Sequence, residues 1–231
     1  MKEKTFRAIQ ALRFPFAFIV AMWTIHVVRV IMHINLAFLG ILPREIVGLK
    51  GIITAPLIHG DWGHLVSNTV PFAALSAVIF LFYRRVAVKS FMLIYLLTGL
   101  AVWLFGREVW HIGASGVVYG LLSFVFWNGV FRRSFRSIAI SLAILVLYSG
   151  YFFGIVPGQE GISWESHLYG ALVGIFISYL FKNHLESDEV PQYDYLEDDD
   201  PDRYLLPADT FEKTLRERQQ QAEYWRRTNQ F

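Results

Sequence analysis

One serine of this chain sits between glycines at the head of an apolar run, in His111-Ile-Gly113-Ala-Ser115-Gly116-Val-Val-Tyr119-Gly120. A serine hydroxyl is a poor nucleophile until a neighbouring base takes its proton. In the first turn of a helix it would also lie beside backbone N–H groups that have no partner within the helix, at the positive end of the helix dipole. Such donors suit the oxyanion formed when a hydroxyl attacks a carbonyl, and Gly113 and Gly116 would let backbone and substrate come close. The same serine could be a packing residue, because small side chains let membrane helices approach closely. What separates the two readings is whether the chain brings a base and further donors to the same place.

A base is available in Ser166-His167-Leu-Tyr-Gly170-Ala-Leu-Val-Gly174, where His167 stands about one turn into another apolar run. Ionisable groups inside membrane spans are costly, face the bundle interior and mark function. Gly170 and Gly174 repeat at the spacing of Gly116 and Gly120, which permits close helix approach. If the two stripes face each other, Ser115 and His167 come within hydrogen-bond reach. Glu165 is only two residues from His167 and so points off its face. The pattern is that of a Ser-His dyad rather than a triad; a buried structural histidine is the bland alternative. His64 and Asn68 share a helix face at i and i+4, and their side-chain N–H groups are donors of the kind that complete an oxyanion hole. Asn68 could instead bond between helices. Tyr119, one turn after Ser115, could pack on the His167 ring or serve as core. His59, Asp61 and His64 invite a zinc reading, but His-Glu-x-x-His is absent and two of the three lie in a glycine-flanked loop. No metal and no cofactor is expected. His26, His33, His111 and His184 have no evident partner, and Arg29 either snorkels outward or pairs with Glu45 or Glu108.

These residues need elements to carry them, and the composition says which. Of 231 residues, 55% are hydrophobic, with a mean hydropathy of +0.40, above the roughly 45–50% of a soluble domain. Charge is segregated: residues 1–181 carry a net +8 and residues 182–231 a net −6. The positive charge lies in short clusters between apolar runs, unlike the continuous basic face of a nucleic-acid binder. The absence of cysteine excludes disulfides and thiolate chemistry. A span needs about 20 apolar residues. Six candidates fall near 14–34, 63–83, 88–105, 115–131, 137–156 and 163–181. The expected fold is an all-α bundle of six membrane helices over residues 1–181, followed by an acidic tail, 182–231.

Basic residues collect before the first run, between the second and third, between the fourth and fifth, and after the sixth. By the positive-inside rule both termini are cytoplasmic. Runs two, four and six then descend together from the outer face. At about 1.5 Å per residue, Asn68, Ser115 and His167 lie roughly 24, 25 and 22 Å above their basic anchors Arg84, Arg132 and Lys182. Three polar residues on three parallel helices share one depth near the outer surface. In the tail, the acidic stretch Glu186 to Asp202 reads as solvated chain. Phe211, Leu215, Ala222 and Trp225 suggest an amphipathic helix near 208–227, on the membrane or against a cytoplasmic partner.

His64-x-x-x-Asn68, Gly113-Ala-Ser115-Gly116 through Gly120, and Ser166-His167 through Gly174, in this order on six runs, resemble the rhomboid family of intramembrane serine proteases. The resemblance covers about residues 14–181. It implies Ser115 as nucleophile, His167 as general base, and His64, Asn68 and the Ser115 backbone N–H as oxyanion donors. It also implies Tyr119 stacked on the histidine, and His59 matches a histidine that often precedes the second helix. The implied substrates are transmembrane proteins, cleaved within the plasma membrane towards its extracytoplasmic side. The fifth run and the loop Pro157–Ser163, with Gly158 and Gly161, are candidates for a side gate and cap. Two departures stand out: the segment between the first two runs is short, and Leu49-Lys50 replaces the family's Trp-Arg. A reduced or differently anchored first loop is therefore expected. The alternative is a non-proteolytic membrane protein, a transporter or a pseudoprotease, although a pseudoprotease should lack the serine or the histidine and repeats typical of transporters are not evident.

Overall fold

A computed structural model describes residues 2–157, 163–186 and 212–228. They form helices α1 (Lys2–Ile31), α2 (Gly51–Thr54), α3 (Trp62–Phe82), α4 (Ala87–Phe105), α5 (Ser115–Arg132), α6 (Phe135–Leu147), α7 (Trp164–Leu180) and α8 (Leu215–Thr228), with several 3₁₀ turns between them. Two compact units result, residues 1–190 and 191–231. Among the described residues there is no strand, only one isolated antiparallel bridge between Ile41 and His111.

In the first unit α5 is the central helix, packed against α3, α4, α6 and α7. Residues on every side of it are buried, from Gly116 through Leu121 to Phe124, Val125 and Asn128. The main core gathers Phe72, Leu75 and Ile79 of α3, Phe91, Ile94 and Tyr95 of α4, and Val117, Leu121 and Phe124 of α5, with Ile144 and Ile177. Outward-facing side chains are themselves apolar, among them Phe16, Val70, Val88, Leu142, Leu172 and Phe176, each more than half exposed. That surface needs lipid.

Three helices, Gln10–Ile31, Trp62–Phe82 and Ala87–Phe105, are long and apolar enough to cross a membrane, and a fourth candidate is the pair Phe135–Leu147 and Ser149–Ile155. The two members of that pair are bent by 65°, so the expected fifth run is broken near Tyr148. α5 and α7 do not pass on length and composition alone. They hold Ser115, Ser123, Asn128, Glu165, Ser166 and His167 as well as all four glycines of the packing stripes, which lower their hydropathy, and α7 has only 17 residues.

Of the two expectations for the first loop, reduced or differently anchored, the stretch 32–61 departs from the first. It folds into short helical turns at Ala37–Leu39, Ile46–Gly48, Gly51–Thr54 and Ala55–Leu57. Trp103 Nε1 of α4 donates to the Glu45 carbonyl at 2.9 Å, Arg44 N donates to the Trp103 carbonyl at 2.9 Å, and the Tyr95 hydroxyl donates to the Ile53 carbonyl. α4 thus anchors the loop through backbone groups, which do not depend on a Trp-Arg pair. Arg44 also holds Glu108 at 3.1 Å, so Glu108 is not a partner for Arg29.

The second unit contributes α8. Its start lies seven residues later than expected because Thr214 and Glu217 make a capping box: Thr214 N and Oγ1 donate to Glu217 Oε2 at 2.7 and 2.8 Å. Leu215, Tyr224 and Trp225 are exposed. Phe211 and the acidic stretch 187–202 lie outside the described residues, as do Gly158 and Gly161 of the expected cap.

Candidate active site

Helix starts aim the polar residues. α3, α6 and α7 begin with side-chain caps: Asp61 accepts from His64 N at 2.9 Å, Ser134 from Ser137 N, and Ser163 from Ser166 N. α5 begins at Ser115 after Ala114, with no side-chain cap. The first hydrogen bond of the helix is Val118 N to the Ala114 carbonyl at 3.0 Å. The N–H groups of Ser115, Gly116 and Val117 therefore have no acceptor within the helix. Ser115 lines a cavity of about 890 Å³ together with His167, Tyr119, Asn68, His64 and Tyr151, and with Arg107, His111, Ser163 and Trp164.

The structure brings α5 and α7 together backbone to backbone. A Cβ at Gly170 would overlap the Gly116 carbonyl oxygen, and one at Gly174 would overlap that of Gly120. A Cβ at Gly116 would lie 3.1 Å from the Ser166 carbonyl, and one at Gly120 3.3 Å from that of Gly170. The two stripes face each other along the seam, and Ser115 and His167 stand at its upper end. The His167 ring stacks on Tyr119 with centroids 4.1 Å apart and planes 11° apart, and its Nδ1 lies 2.8 Å from the Gly154 carbonyl. Tyr119 in turn donates its hydroxyl to the Tyr151 carbonyl at 2.8 Å.

Gly113 has φ +103°, a conformation L side chains rarely adopt, and a Cβ there would lie 2.5 Å from His64 Nε2. The glycine is what lets the His64 ring lie against the turn leading into Ser115. Asn68 is 4% exposed and spends one amide hydrogen on the His64 carbonyl at 2.9 Å, which leaves the other for the cavity it lines. His59 is buried beneath, with its ring 5.1 Å from that of His64. Burial, with the nearby His64, pushes its pKa down to about 3, so it is neutral at physiological pH. Among the described residues no group of three or more His, Asp or Glu side chains is arranged to hold a metal ion.

Two features of the rim escaped sequence reading. Glu165, almost fully buried, forms a forked ion pair with Arg107, with Arg107 Nη2 3.1 Å from Glu165 Oε2. His111 lies with Nε2 3.0 Å from the Arg107 carbonyl and Nδ1 2.6 Å from Ser163 Oγ, which is itself 2.6 Å from Ser166 Oγ. A signal was present: His111 is four residues before Ser115 and Ser163 four before His167. The lead-ins of the two helices are thus tied by one hydrogen bond. Of the other histidines, His26 packs edge-on against Trp62 at 4.5 Å and His184 against Phe181 at 5.4 Å.

Against known families, the rhomboid domain model matches residues 47–184, well over half of the chain. The chain belongs to the rhomboid family. It is a multi-pass membrane protein, as the apolar helices require. Curated relatives include an uncharacterized protein of Mycobacterium tuberculosis, 39% identical over a 150-residue alignment that covers 61% of this chain and 62% of that protein. An uncharacterized protein of Mycobacterium leprae is 36% identical over a 141-residue alignment that covers 57% of this chain and 56% of that protein. The chain thus covers less than two thirds of the curated relatives it matches.

Proposed function

We propose that this rhomboid-family chain is an intramembrane serine protease that cleaves other proteins within or beside their transmembrane segments. One observation carries the reading: a serine at the uncapped start of a buried helix and a histidine stacked on Tyr119 line the same cavity. In the proposed reaction His167 takes the Ser115 proton as Ser115 Oγ attacks the scissile carbonyl. The Ser115 backbone N–H, the free Asn68 amide hydrogen and His64 donate to the oxyanion. The C–N bond breaks as His167 returns the proton to the leaving amine. Water, activated in the same way, then releases the acyl group and restores Ser115.

The same reading counts six spans, with α5 and α7 as the fourth and sixth and the bent α6 pair as the fifth. Basic connectors favour cytoplasmic termini, which would put the cavity near the extracytoplasmic face of the plasma membrane. Residues 182–231 would form an acidic cytoplasmic tail open to a soluble partner. The decisive experiment is labelling of the purified full chain in detergent with a serine-directed fluorophosphonate. Wild type is expected to label, with Ser115→Ala silent and His167→Ala slowed at least about a hundredfold. Wild-type labelling no faster than that of Ser115→Ala would sink the proposal.

A further inference from the structure

Tyr119 of α5 stacks on the ring of the proposed base, but the acceptor for its Nδ1 comes from neither catalytic helix. It belongs to the 3₁₀ strip Ser149–Ile155, which follows the bend after α6. Two successive contacts fix this strip to the site. The Tyr151 carbonyl accepts the Tyr119 hydroxyl at 2.8 Å, and the Gly154 carbonyl lies 2.8 Å from His167 Nδ1. A carbonyl can only accept, so in the neutral ring Nδ1 carries the hydrogen and Nε2 holds the lone pair. That is the tautomer in which Nε2 can take a serine proton. Between these contacts the space is closed: a Cβ at Gly154 would overlap the Tyr119 hydroxyl and lie 3.2 Å from His167 Nδ1.

We propose that the strip is an interlock, in which the Gly154 carbonyl positions His167 in the Nδ1–H tautomer and the Tyr119 hydroxyl latches the strip in place. The strip stands in the place a serine-protease carboxylate takes beside its histidine, but it is backbone and belongs to a segment that can move. On its inner side the strip is held by the Tyr151 ring, 5.3 Å from that of Tyr119, and by Tyr148 against the core. On its outer side it is open: of α6, only Ser137, Ser141 and Ile144 are buried, and Val146, Leu147 and Phe153 are each about three-quarters exposed. A transmembrane substrate that wedges α6 outward would draw the Gly154 carbonyl off His167, so the base is oriented only once the strip has reseated. Gly154 and Tyr151 are positioning residues here and touch no reacting atom.

The interlock rests on the protease reading, and its test has one arm that does not. Histidine is labelled with ¹⁵N in the full chain in micelles, and the His167 signals are assigned by their loss in His167→Gln. The ring nitrogen shifts then report the tautomer whether or not the protein hydrolyses anything. Wild type is expected to hold Nδ1–H; an Nε2–H or averaged pattern overturns the interlock. Gly154→Ala is expected to average the two tautomers and slow fluorophosphonate labelling about tenfold or more. Tyr119→Phe keeps the stack while removing the oxygen that the new Cβ would meet. The double variant Tyr119→Phe/Gly154→Ala should therefore label faster than Gly154→Ala, yet more slowly than wild type because the latch is gone. Failure of that rescue, or a Gly154→Ala protein that labels like wild type, overturns the proposal. A wild type with the Nδ1–H tautomer and no labelling would count against the protease reading alone.

Discussion

The α5–α7 seam and the α6 end flank the same cavity and are built on opposite terms. Along the seam, glycines on both helices let the backbones touch, so Gly170 meets the Gly116 carbonyl and Gly174 that of Gly120, with only small serine side chains of the two helices beside them. Backbone against backbone has no rotamers to yield, so the seam has one spacing. α6 is fastened at its middle, where the Ser141 hydroxyl shares its one hydrogen between the Val125 and Phe126 carbonyls at 3.0 and 2.8 Å. Beyond Ile144 most of its side chains face outward, and its contact with the site is the Tyr151 ring against Tyr119 and two carbonyls. The nucleophile and base of the proposed reaction, with the Tyr119 ring, ride on the seam, while the carbonyl beside His167 Nδ1 rides on the α6 end. A protease for membrane-borne substrates needs this division, since its substrate arrives from the side.

The comparison breaks most severely at Gly170. Gly170→Val places a branched side chain against the Gly116 carbonyl, and the only relief is to part the helices. Overpacking of this kind costs about 1–3 kcal/mol where side chains can adjust, and here the obstacle is main chain. The variant is expected to lose fluorophosphonate labelling altogether and to unfold well below wild type when heated in micelles. A Gly170→Val protein with wild-type melting temperature and labelling would show that the seam is not what holds Ser115 beside His167.

What was legible in the sequence follows the same division. The faces that carry His64 with Asn68, and the four stripe glycines, could be set from spacing, because helix periodicity turns i, i+3 and i+4 into a face. That Ser115 meets His167 rested on the stripes facing each other and on the family resemblance. Tyr119 was placed by the same rule, and the structure stacks it on His167. The Gly154 and Tyr151 carbonyls left no trace in the sequence, since every residue but proline offers the same donor and acceptor and only the chain path decides which ones meet the site. The bend near Tyr148 was hidden too, because an apolar run looks continuous whether or not its helix breaks. Spacing was also silent on Glu165. Its partner Arg107 is 58 residues away on another connector.

A second, weaker way to strain the seam is to charge its fastening. Burial holds the His111 pKa below the ordinary imidazole range, helped by the neighbouring Arg107 charge and opposed by the hydrogen bond to the Arg107 carbonyl and by Glu165. Neutral His111 uses its Nε2 hydrogen on the Arg107 carbonyl and accepts the Ser163 hydroxyl at Nδ1. Protonation gives Nδ1 a hydrogen and reverses that second bond. Because the folded pKa lies below the unfolded value of about 6.5, stability is full above that pH. It falls as the pH drops below it, by at most about 1.4 kcal/mol per pH unit for each such group. His59 acts with the same sign, and Asp61, whose carboxylate is stabilised by the His64 N–H, adds its share only below about pH 4. Melting between pH 7.5 and pH 5 should therefore show a falling melting temperature, with a shallower slope in His111→Asn. Equal slopes in the two proteins would remove His111 from the account.

The smallest effect sharpens the comparison within the strip itself. Gly150 and Gly154 lie four residues apart, yet a Cβ at Gly150 meets nothing within 4 Å. Gly150 is exposed and its φ is not positive, so alanine fits its backbone. Gly150→Ala is expected to leave labelling unchanged and to shift stability by no more than about 0.4–1 kcal/mol in the stabilising direction, through the reduced freedom of the unfolded chain. Beside Gly154→Ala it asks whether the strip tolerates side chains in general and resists one only where it touches Tyr119 and His167. If Gly150→Ala slows labelling as much as Gly154→Ala does, the strip responds to any change in its backbone. The contact at Gly154 would then have no special claim on the base.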